Sequence, residues 1–489
     1  MGKGVTVDVL HTSLVKPASP SPQPFLSLSP CDLMWRDYTY NRRLLFYHRP
    51  LSTSAATASC CGRVDDVDDY PRFITTLQTS LSQALTFFYP LAGRLVERRC
   101  DTAASARAGD EAHEKRLTVA CNDEGAELVQ ARIEGVSFAE LQSSNFDMQP
   151  YFVQLTRWAS YTRLQEGAAP LLSIQVTRFS CGSIVMGIAH SHVVADGFSL
   201  WHFMSSWVEC AKGQPLSLQP SHDRTPLILQ TSWTSPEAAE SAVVLDWIED
   251  VEGKAKQCST PHTTMKTTSG KDRQHVVSFS REIVGELKRK VNNKYGSYEV
   301  LCAHLWRKAA KAAFTSSNNA GELAAAVVPA APAALGADTR TSFCSVVNMR
   351  VRMEPPLAEG YFGCALLWGK ATATVGELED EKLAATAARI RAAVRSCTSS
   401  RMHQFIHFLE HYGKDAFLPK IVADPLRLRV SSSPKFPMLS TDFGWGGPVA
   451  VRSALVEENG KLVLYPGPSG LGSCDICLSF PSPIMGHLY

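Results

Sequence analysis

The stretch His190-Ser-His-Val-Val-Ala-Asp196-Gly197 places a carboxylate four residues after His192. The pKa of an imidazole lies near neutrality, so the ring can accept a proton in one step of a reaction and return it in the next. The apolar run Ile184 to Ala189 precedes this stretch and predicts a buried strand, and a helix-like run follows from Phe198. A histidine that a buried strand delivers into a turn is well placed to act as a general base.

The spacing alone does not establish chemistry, because the chain contains 14 histidines and has a second His–Asp pair of the same spacing at His411 and Asp415. His190 competes with His192, since the two share a face of an extended strand; His192 is preferred because Asp196 lies at the turn. The alternative is that His192 is a core residue and that Asp196 only caps the next helix. His403, His407 and His411 are four apart and fit one helix face, which favours a polar face over a metal site.

A second segment, Asp442-Phe-Gly-Trp-Gly446, is dense in glycine and aromatic residues. Such a segment predicts a rigid structural turn, and Trp445 could serve either architecture or chemistry. The chain has no GxSxG nucleophile elbow, no GxxxxGK[ST] phosphate loop and no GxGxxG turn after a strand. The absence of these three motifs argues against serine hydrolases, P-loop enzymes and dinucleotide oxidoreductases, respectively.

Composition narrows the class further. The chain has 489 residues, is 45% hydrophobic and 20% charged, and carries a formal net charge of +2. This length and composition are typical of a globular protein of two or three domains. The net charge is too small to produce an electrostatic field that would favour binding to nucleic acid. No apolar run approaches the roughly 20 residues that span a bilayer. The 14 cysteines lack the spacing of a disulfide framework and no signal peptide is evident, so we expect reduced thiols in a cytoplasmic protein.

The elements around these motifs can be placed coarsely. Apolar periodicity predicts an amphipathic helix over Phe73 to Phe88 and a long helix over Glu377 to Cys397. Two short runs flank the turn Cys121-Asn-Asp-Glu-Gly125 and suggest a hairpin. Residues 213–238 are rich in Pro, Ser, Thr and Gln, so a linker is predicted there, between an N-terminal domain (1–212) and a C-terminal domain (239–489).

Read together, these segments resemble the plant BAHD acyltransferases, which move acyl groups from coenzyme A thioesters to alcohols or amines. The resemblance covers nearly the whole chain and rests on HxxxD and DFGWG in this order and separation. Further matching stretches are Leu28-Ser-Pro-Cys-Asp32, Phe88 to Leu95, Cys121 to Gly125, Ala303 to Trp306, Asn348-Met-Arg350, Gly360 to Gly363 and Tyr465-Pro-Gly467. The segment from Ser431 to Phe436 is similar in sequence to a subgroup of this family that is hydroxycinnamoyltransferase-like or consists of uncharacterised acetyltransferase-like proteins.

The resemblance implies an α/β fold of two chloramphenicol-acetyltransferase-like domains, each a mixed sheet with flanking helices, and a channel between them. The N-terminal domain would carry HxxxD and the C-terminal domain DFGWG. The implied activity is acyl transfer from a coenzyme A thioester to a hydroxyl or amine of a small plant metabolite. His192 would be the general base of a ternary-complex mechanism that needs no acyl-enzyme. The resemblance also implies a monomer with no metal and no permanently bound cofactor, acyl-coenzyme A being a co-substrate.

The same resemblance assigns roles to further residues. Asp196 would support the turn by pairing with Arg350, and the Trp445 indole N–H is a candidate donor to the oxyanion. The remaining implied assignments are architectural for Asp442, Gly444 and Gly446, and coenzyme A contacts for Ser432, Ser433, Thr441 and, more weakly, Arg307 or Lys308. Where the family commonly has Tyr-Phe-Gly-Asn, this chain has Cys364 in place of Asn.

Two other functions stay open at this point. One is a lyase that acts on a carboxylated, isochorismate-type conjugate in the same channel. The other is a non-catalytic member of the family that acts as a partner protein, although such a protein need not keep both His192 and Asp196. A requirement for an acyl-coenzyme A donor separates transfer from both. The sequence identifies neither the donor nor the acceptor.

Overall fold

The computed structural model describes residues 4–37, 40–49, 70–99, 115–160, 163–164, 166–228, 272–319, 336–412, 426–455, 459–468, 470 and 472–488. Contacts divide the chain into two compact units. Unit 1 consists of Met1–Ile228, Leu357–Ala365 and Pro437–Ala454, and unit 2 of the remaining residues. Of the predicted linker, residues 213–228 belong to unit 1, and residues 229–238 lie outside the described residues.

Unit 1 contains a six-stranded mixed sheet in the order β1-β6-β7-β8-β3-β13 and a three-stranded sheet in the order β2-β5-β4. Its strands are β1 (Thr6–Val15), β2 (Phe25–Ser27), β3 (Tyr40–Tyr47), β4 (Arg94–Arg99), β5 (Lys115–Ala120), β6 (Ala126–Glu134), β7 (Leu172–Arg178), β8 (Ile184–Ser191) and β13 (Ala450–Ser453). Its helices are α1 (Pro30–Leu33), α2 (Tyr70–Phe87), α3 (Phe138–Ser143) and α4 (Gly197–Ala211).

Unit 2 contains a second six-stranded mixed sheet, in the order β11-β10-β12-β14-β15-β9. Its strands are β9 (Asp272–Phe279), β10 (Arg340–Asn348), β11 (Leu366–Thr374), β12 (Arg427–Ser431), β14 (Lys461–Pro466) and β15 (Cys474–Pro481). Its helices are α5 (Arg281–Arg289), α6 (Ser297–Asn319), α7 (Val375–Asp380), α8 (Leu383–Arg395), α9 (Ser399–Tyr412) and α10 (Ser482–Leu488). In both units the sheet is mixed and accompanied by helices, so the predicted α/β fold class is confirmed.

Two local predictions differ from the structure. The predicted hairpin around Cys121 to Gly125 is wrong, because β5 pairs with β2 and β4 whereas β6 pairs with β1 and β7. The predicted long helix over 377–397 is two helices, α7 and α8, which are separated at Glu381 and Lys382. Both of those residues have extended backbones, with ψ near 150°. An apolar period can continue across such a break, so the sequence pattern alone does not show it.

The DFGWG segment lies in unit 1, although a continuous C-terminal domain was expected to carry it. Strand β13 pairs with β3 at the edge of the first sheet, with Ala450 opposite Phe46 and Ser453 opposite Arg43. Residues 437–454 therefore return to the sheet that carries β8. Among the described residues, no helix is long and apolar enough to cross a membrane.

Candidate active site

His192 lies just after the carboxyl end of β8, a strand that is buried along its whole length between β7 and β3. From Ile184 to Asp196 every residue is buried except His192, which is partly exposed. The apolar run before the motif therefore forms the core strand that it predicted. The only polar side chain of this stretch that reaches solvent is the one proposed to handle a proton.

Two side chains of unit 1 contact the imidazole of His192 from different directions. The Trp35 ring stacks on it, with ring centroids 3.9 Å apart and planes 12° apart. The Cys364 Sγ atom lies 3.8 Å from His192 Nδ1 and donates a hydrogen bond to the His192 carbonyl oxygen at 3.0 Å. One ring face and the Nδ1 edge are thus occupied by protein.

Asp196 is fully buried and caps α4. Its Oδ1 accepts a hydrogen bond from the Ser199 N–H at 2.9 Å, and its Oδ2 accepts one from the Ala365 N–H at 3.1 Å. The Asp196 N–H donates to the Gly363 carbonyl oxygen, which also accepts from the Ser199 hydroxyl. The carboxylate therefore ties the turn after His192 to residues 363–365. Arg350, the partner predicted for it, belongs to unit 2, where its backbone and side chain both donate to Asn348 Oδ1.

Residues 363–365 are held in turn by a buried ion pair that the sequence did not indicate. Arg224 Nε lies 2.9 Å from Asp32 Oδ2, and the two side chains are 2% and 0% exposed. Asp32 Oδ1 accepts from the Cys364 N–H at 2.8 Å, and Arg224 donates to the Phe362 carbonyl oxygen. A Cβ atom at Gly363 would lie 2.5 Å from the Arg224 guanidinium carbon, so a larger residue there would displace the guanidinium from its pair with Asp32. Asp32 thereby supports both Cys364 and the turn of His192.

His190 is an unsuitable base. It is fully buried, and burial together with the nearby His192 and Arg43 lowers its pKa to about 3. Its Nε2 lies 3.2 Å from the Ala195 carbonyl oxygen, which fixes the proton on Nε2. Its Nδ1 has no hydrogen-bond partner among the described residues. The preference for His192 over His190 thus acquires a physical reason: His190 stays neutral and is shielded from solvent.

The DFGWG segment forms a turn around Asp442. Gly444 and Gly446 have φ of +109° and +102°, and both N–H groups donate to Asp442 Oδ1 at 2.8 Å. Burial disfavours the charged carboxylate, but these hydrogen bonds and the charge of Lys212, 3.4 Å away, outweigh it and lower the pKa of Asp442. These contacts are those of a structural turn.

Trp445 packs among aromatic side chains of unit 1. Its ring contacts Phe73 and Phe443, and its Nε1 is buried without a partner among the described residues. The segment is tied to the Ile184 end of β8, because Tyr47 pairs with Ile184 and donates to the Thr441 carbonyl oxygen. Seven residue steps along β8 correspond to about 23 Å.

Helix α4 gives an independent measure of the same separation. It begins beside His192 at Asp196, and after it Lys212 contacts Asp442. The 16 steps between these two residues correspond to about 24 Å at the helical rise. The two anchors of the DFGWG segment, Thr441 and Asp442, therefore lie on the order of 20 Å from His192, well beyond the reach of a hydrogen bond. The oxyanion role of Trp445 stays a prediction, and the contacts of its segment favour a structural role.

The residues predicted to contact coenzyme A have mixed surroundings. Ser432 follows the carboxyl end of β12 and has φ of +91°. The hydroxyl groups of Ser431 and Ser432 are both buried and have no hydrogen-bond partner among the described residues. Ser433 accepts a hydrogen bond from the Lys435 N–H. Thr441 is buried in unit 1, where its hydroxyl donates to Pro437.

The two basic residues predicted to contact coenzyme A, Arg307 and Lys308, also have different surroundings. Arg307 Nε donates to the Leu378 carbonyl oxygen at 2.8 Å, so this guanidinium serves the carboxyl end of α7. Lys308, the next residue of α6, is exposed. Of the two side chains, that of Lys308 is therefore the more accessible for a contact with a phosphate.

The family model described as the Transferase family matches residues 5–488. The chain belongs to this family, the BAHD acyltransferases. A hydroxycinnamoyltransferase of Narcissus pseudonarcissus is 26% identical over 490 residues, covering 98% of this chain and 97% of the relative. The Hydroxycinnamoyl-CoA:5-hydroxyanthranilate N-hydroxycinnamoyltransferase of Avena sativa is 26% identical and covers 98% of each. The crystal structure of vinorine synthase matches with a TM-score of 0.67 at 19% identity, covering 99% of this chain and 97% of the other, and supports the fold. The prediction of an acyltransferase is thereby confirmed.

Proposed function

We propose that this BAHD acyltransferase moves an acyl group from a coenzyme A thioester to a hydroxyl or amine of a small molecule, with His192 as general base. The observation that carries the proposal is the exposure of His192 alone within the otherwise buried stretch from Ile184 to Asp196. Its ring is also held on one face by Trp35 and along the Nδ1 edge by Cys364. A general base needs this combination of access and fixed direction.

The contacts indicate which nitrogen does the work. Because the thiol of Cys364 lies along the Nδ1 edge, we assign proton transfer to Nε2. Nε2 takes the proton of the acceptor O–H or N–H while the acceptor atom bonds to the thioester carbonyl carbon. The tetrahedral intermediate then breaks its C–S bond, and the imidazolium returns the proton to the departing thiolate. The products are the ester or amide and free coenzyme A, and His192 is neutral again.

Cys364 is a potential nucleophile next to an imidazole, so the ternary-complex route needs a test against an S-acyl enzyme. The Cys364 thiol is buried and donates to the His192 carbonyl oxygen, which favours a supporting role. Cys364→Ala should therefore retain donor-dependent turnover at a reduced rate. Complete loss of turnover, together with an acylated wild-type protein detected by mass spectrometry, would contradict the ternary-complex route.

The donor is best sought among aromatic acyl thioesters, since two similar proteins are named for hydroxycinnamoyl transfer. Hydroxyanthranilate-type amines are the corresponding acceptors to test, because the Avena relative is named for one. For coenzyme A itself, the hydroxyls of Ser431 and Ser432, at the carboxyl end of β12, are the candidate contacts with the strongest structural support. Their buried oxygens have hydrogen-bonding capacity that no described residue uses.

The experiment is thermal melting of the purified protein with hydroxycinnamoyl-coenzyme A, benzoyl-coenzyme A, acetyl-coenzyme A and free coenzyme A. A ligand at about 100 times its Kd stabilises by about 2.7 kcal/mol, which raises the melting temperature by several degrees. The thioester with the largest shift is then supplied with the acceptor panel, and coenzyme A release is followed. We expect release only when donor and acceptor are both present. A folded protein that shifts with no thioester would contradict the proposal.

A further inference from the structure

The imidazole orientation of His192 is not determined by its backbone. The χ2 torsion of histidine joins an sp³ to an sp² carbon and is broad, so neighbouring groups must fix the plane of the ring. In unit 1 the nearly parallel stack with Trp35 provides such a constraint, because rotation about χ2 would drive the imidazole edge into the indole.

Trp35 is itself firmly placed. Helix α1 begins at a capping box in which the Ser29 hydroxyl accepts from the Asp32 N–H and the Asp32 carboxylate accepts from the Ser29 N–H. The Trp35 N–H then donates to the Asp32 carbonyl oxygen at 3.1 Å. Met34, beside it in the chain, is buried. The indole therefore extends from a short, capped and largely buried turn.

The same aspartate also holds the other neighbour of His192. The Asp32 carboxylate accepts the Cys364 N–H, and the Cys364 thiol lies along the Nδ1 edge of the imidazole. The face contact and the edge contact of His192 thus both depend on Asp32. An arrangement with one anchor and two contacts, one on the ring face and one at Nδ1, is suited to holding a ring in one orientation.

We propose that Trp35 is a positioning residue that holds the His192 imidazole with Nε2 directed towards the acceptor. This inference rests on the proposed function, because it presupposes that His192 is the base. Trp35 needs no contact with either substrate for this role. Its loss should therefore lower kcat and leave the KM for the thioester nearly unchanged, since binding is retained and the geometry of proton transfer is not.

The test compares Trp35→Phe, Trp35→Leu and Trp35→Met with the wild type and with Trp158→Leu. Trp158 is the matched control, because it is also in unit 1 but is 47% exposed and stacks under Arg42. A misplacement of about 1 Å can cost about 100-fold, so kcat should fall by about 10- to 100-fold in Trp35→Leu. Trp35→Phe keeps an aromatic face and should recover most of that loss. Trp158→Leu should be unaffected.

Several outcomes would overturn the inference. A kcat of Trp35→Leu equal to that of the wild type would show that Trp35 does not position His192. Equal losses of kcat in Trp35→Phe and Trp35→Leu, with equal falls in melting temperature, would show that Trp35 is only structural. If Trp35→Leu does not fold, Trp35→Met takes its place in the comparison with Trp35→Phe, because methionine keeps apolar bulk without a ring. A larger kcat in Trp35→Phe than in Trp35→Met would support the positioning role, and equal losses of kcat and of melting temperature would show a purely structural role. If the wild type itself shows no donor-dependent turnover, it is the proposed function that fails, and this inference falls with it.

Discussion

Replacing Asp32 by Asn should unfold unit 1 at a much lower temperature. The Asp32 carboxylate is fully buried and accepts from the Ser29 N–H, the Ser29 hydroxyl, Arg224 Nε and the Cys364 N–H, at 2.8–2.9 Å. Asn is nearly isosteric, but its NH₂ group would face N–H donors and would leave the buried Arg224 charge without a counter-ion. Breaking a buried pair from one side costs about 3–5 kcal/mol.

Thermal melting and kinetics together measure this cost. For a unit of this size, about 2–4 °C is lost per kcal/mol, so the melting temperature should fall by about 6–20 °C. Asp8→Asn is the matched control: it removes the same charge from the pair with Arg132, whose side chains are 49% and 55% exposed, and should cost at most about 1 kcal/mol. Because Asp32 also anchors Cys364, kcat below the melting range should fall as well.

A double-mutant cycle tests the reasoning behind that number. Arg224→Met removes the guanidinium and keeps much of its bulk, so the double variant Asp32→Asn/Arg224→Met should cost less than the sum of the two single changes, by about 0.5–3 kcal/mol. A cost for Asp32→Asn no larger than that of Asp8→Asn would refute the account of a buried pair as the support of the site. Strict additivity would refute the coupling.

Three further predictions follow from the contacts of unit 1. Asp196→Asn should lower both the melting temperature and kcat, since its two carboxylate oxygens accept the Ser199 and Ala365 N–H groups; a change in kcat with unchanged melting would contradict this structural role. Trp445→Phe should leave kcat within about 3-fold while lowering the melting temperature, and a loss approaching the 100-fold or more expected of an oxyanion donor would return Trp445 to the active site. His190 has a folded pKa of about 3, below the ordinary value of 6.5, so the unfolded chain binds the proton first, and His190 should contribute a fall of about 1.4 kcal/mol per pH unit in the free energy of unfolding as the pH falls from about 6.5 to 3. His222 and His304, whose pKa values burial lowers to about 4, add to this pH dependence, so His190→Gln should reduce the slope by the contribution of one histidine; an unchanged slope would contradict the assignment.

The local part of the site was accessible from the sequence. His192 and Asp196 were found because strand, turn and helix cap follow one another within a few residues, and each leaves a pattern in the chain. The buried strand β8 and the cap at Asp196 are as predicted. The exposure of His192 among buried neighbours depends on tertiary packing, so it could only be seen in the structure.

The long-range part was not accessible. Asp32 and Arg224 are 192 residues apart, and nothing in one sequence pairs them. Likewise, β13 pairs with β3 across some 400 residues, and this pairing brings the DFGWG segment back to the sheet that carries β8. The turn at Cys121 to Gly125 has hairpin chemistry, yet its flanking strands join different sheets. Strand partners depend on the global topology, which local turn residues do not specify.

Cys364 and Trp35 illustrate an intermediate case. The departure from the family pattern at Cys364 was visible, but its position at the Nδ1 edge of His192 was not. Trp35 carried no signal, since a tryptophan three residues after Asp32 fits a core position as well as a site. A search for aromatic residues near family motifs could have found it.

Steady-state turnover of His192→Ala, with the donor and acceptor that the wild type accepts, tests the central claim most directly. A general base contributes about 10²- to 10⁴-fold, so kcat should fall by that factor. The variant should melt like the wild type and keep the thermal shift with the thioester, because the side chain is partly exposed and is not assigned to donor binding. Wild-type turnover in a folded His192→Ala protein would contradict the assignment of His192 as the base.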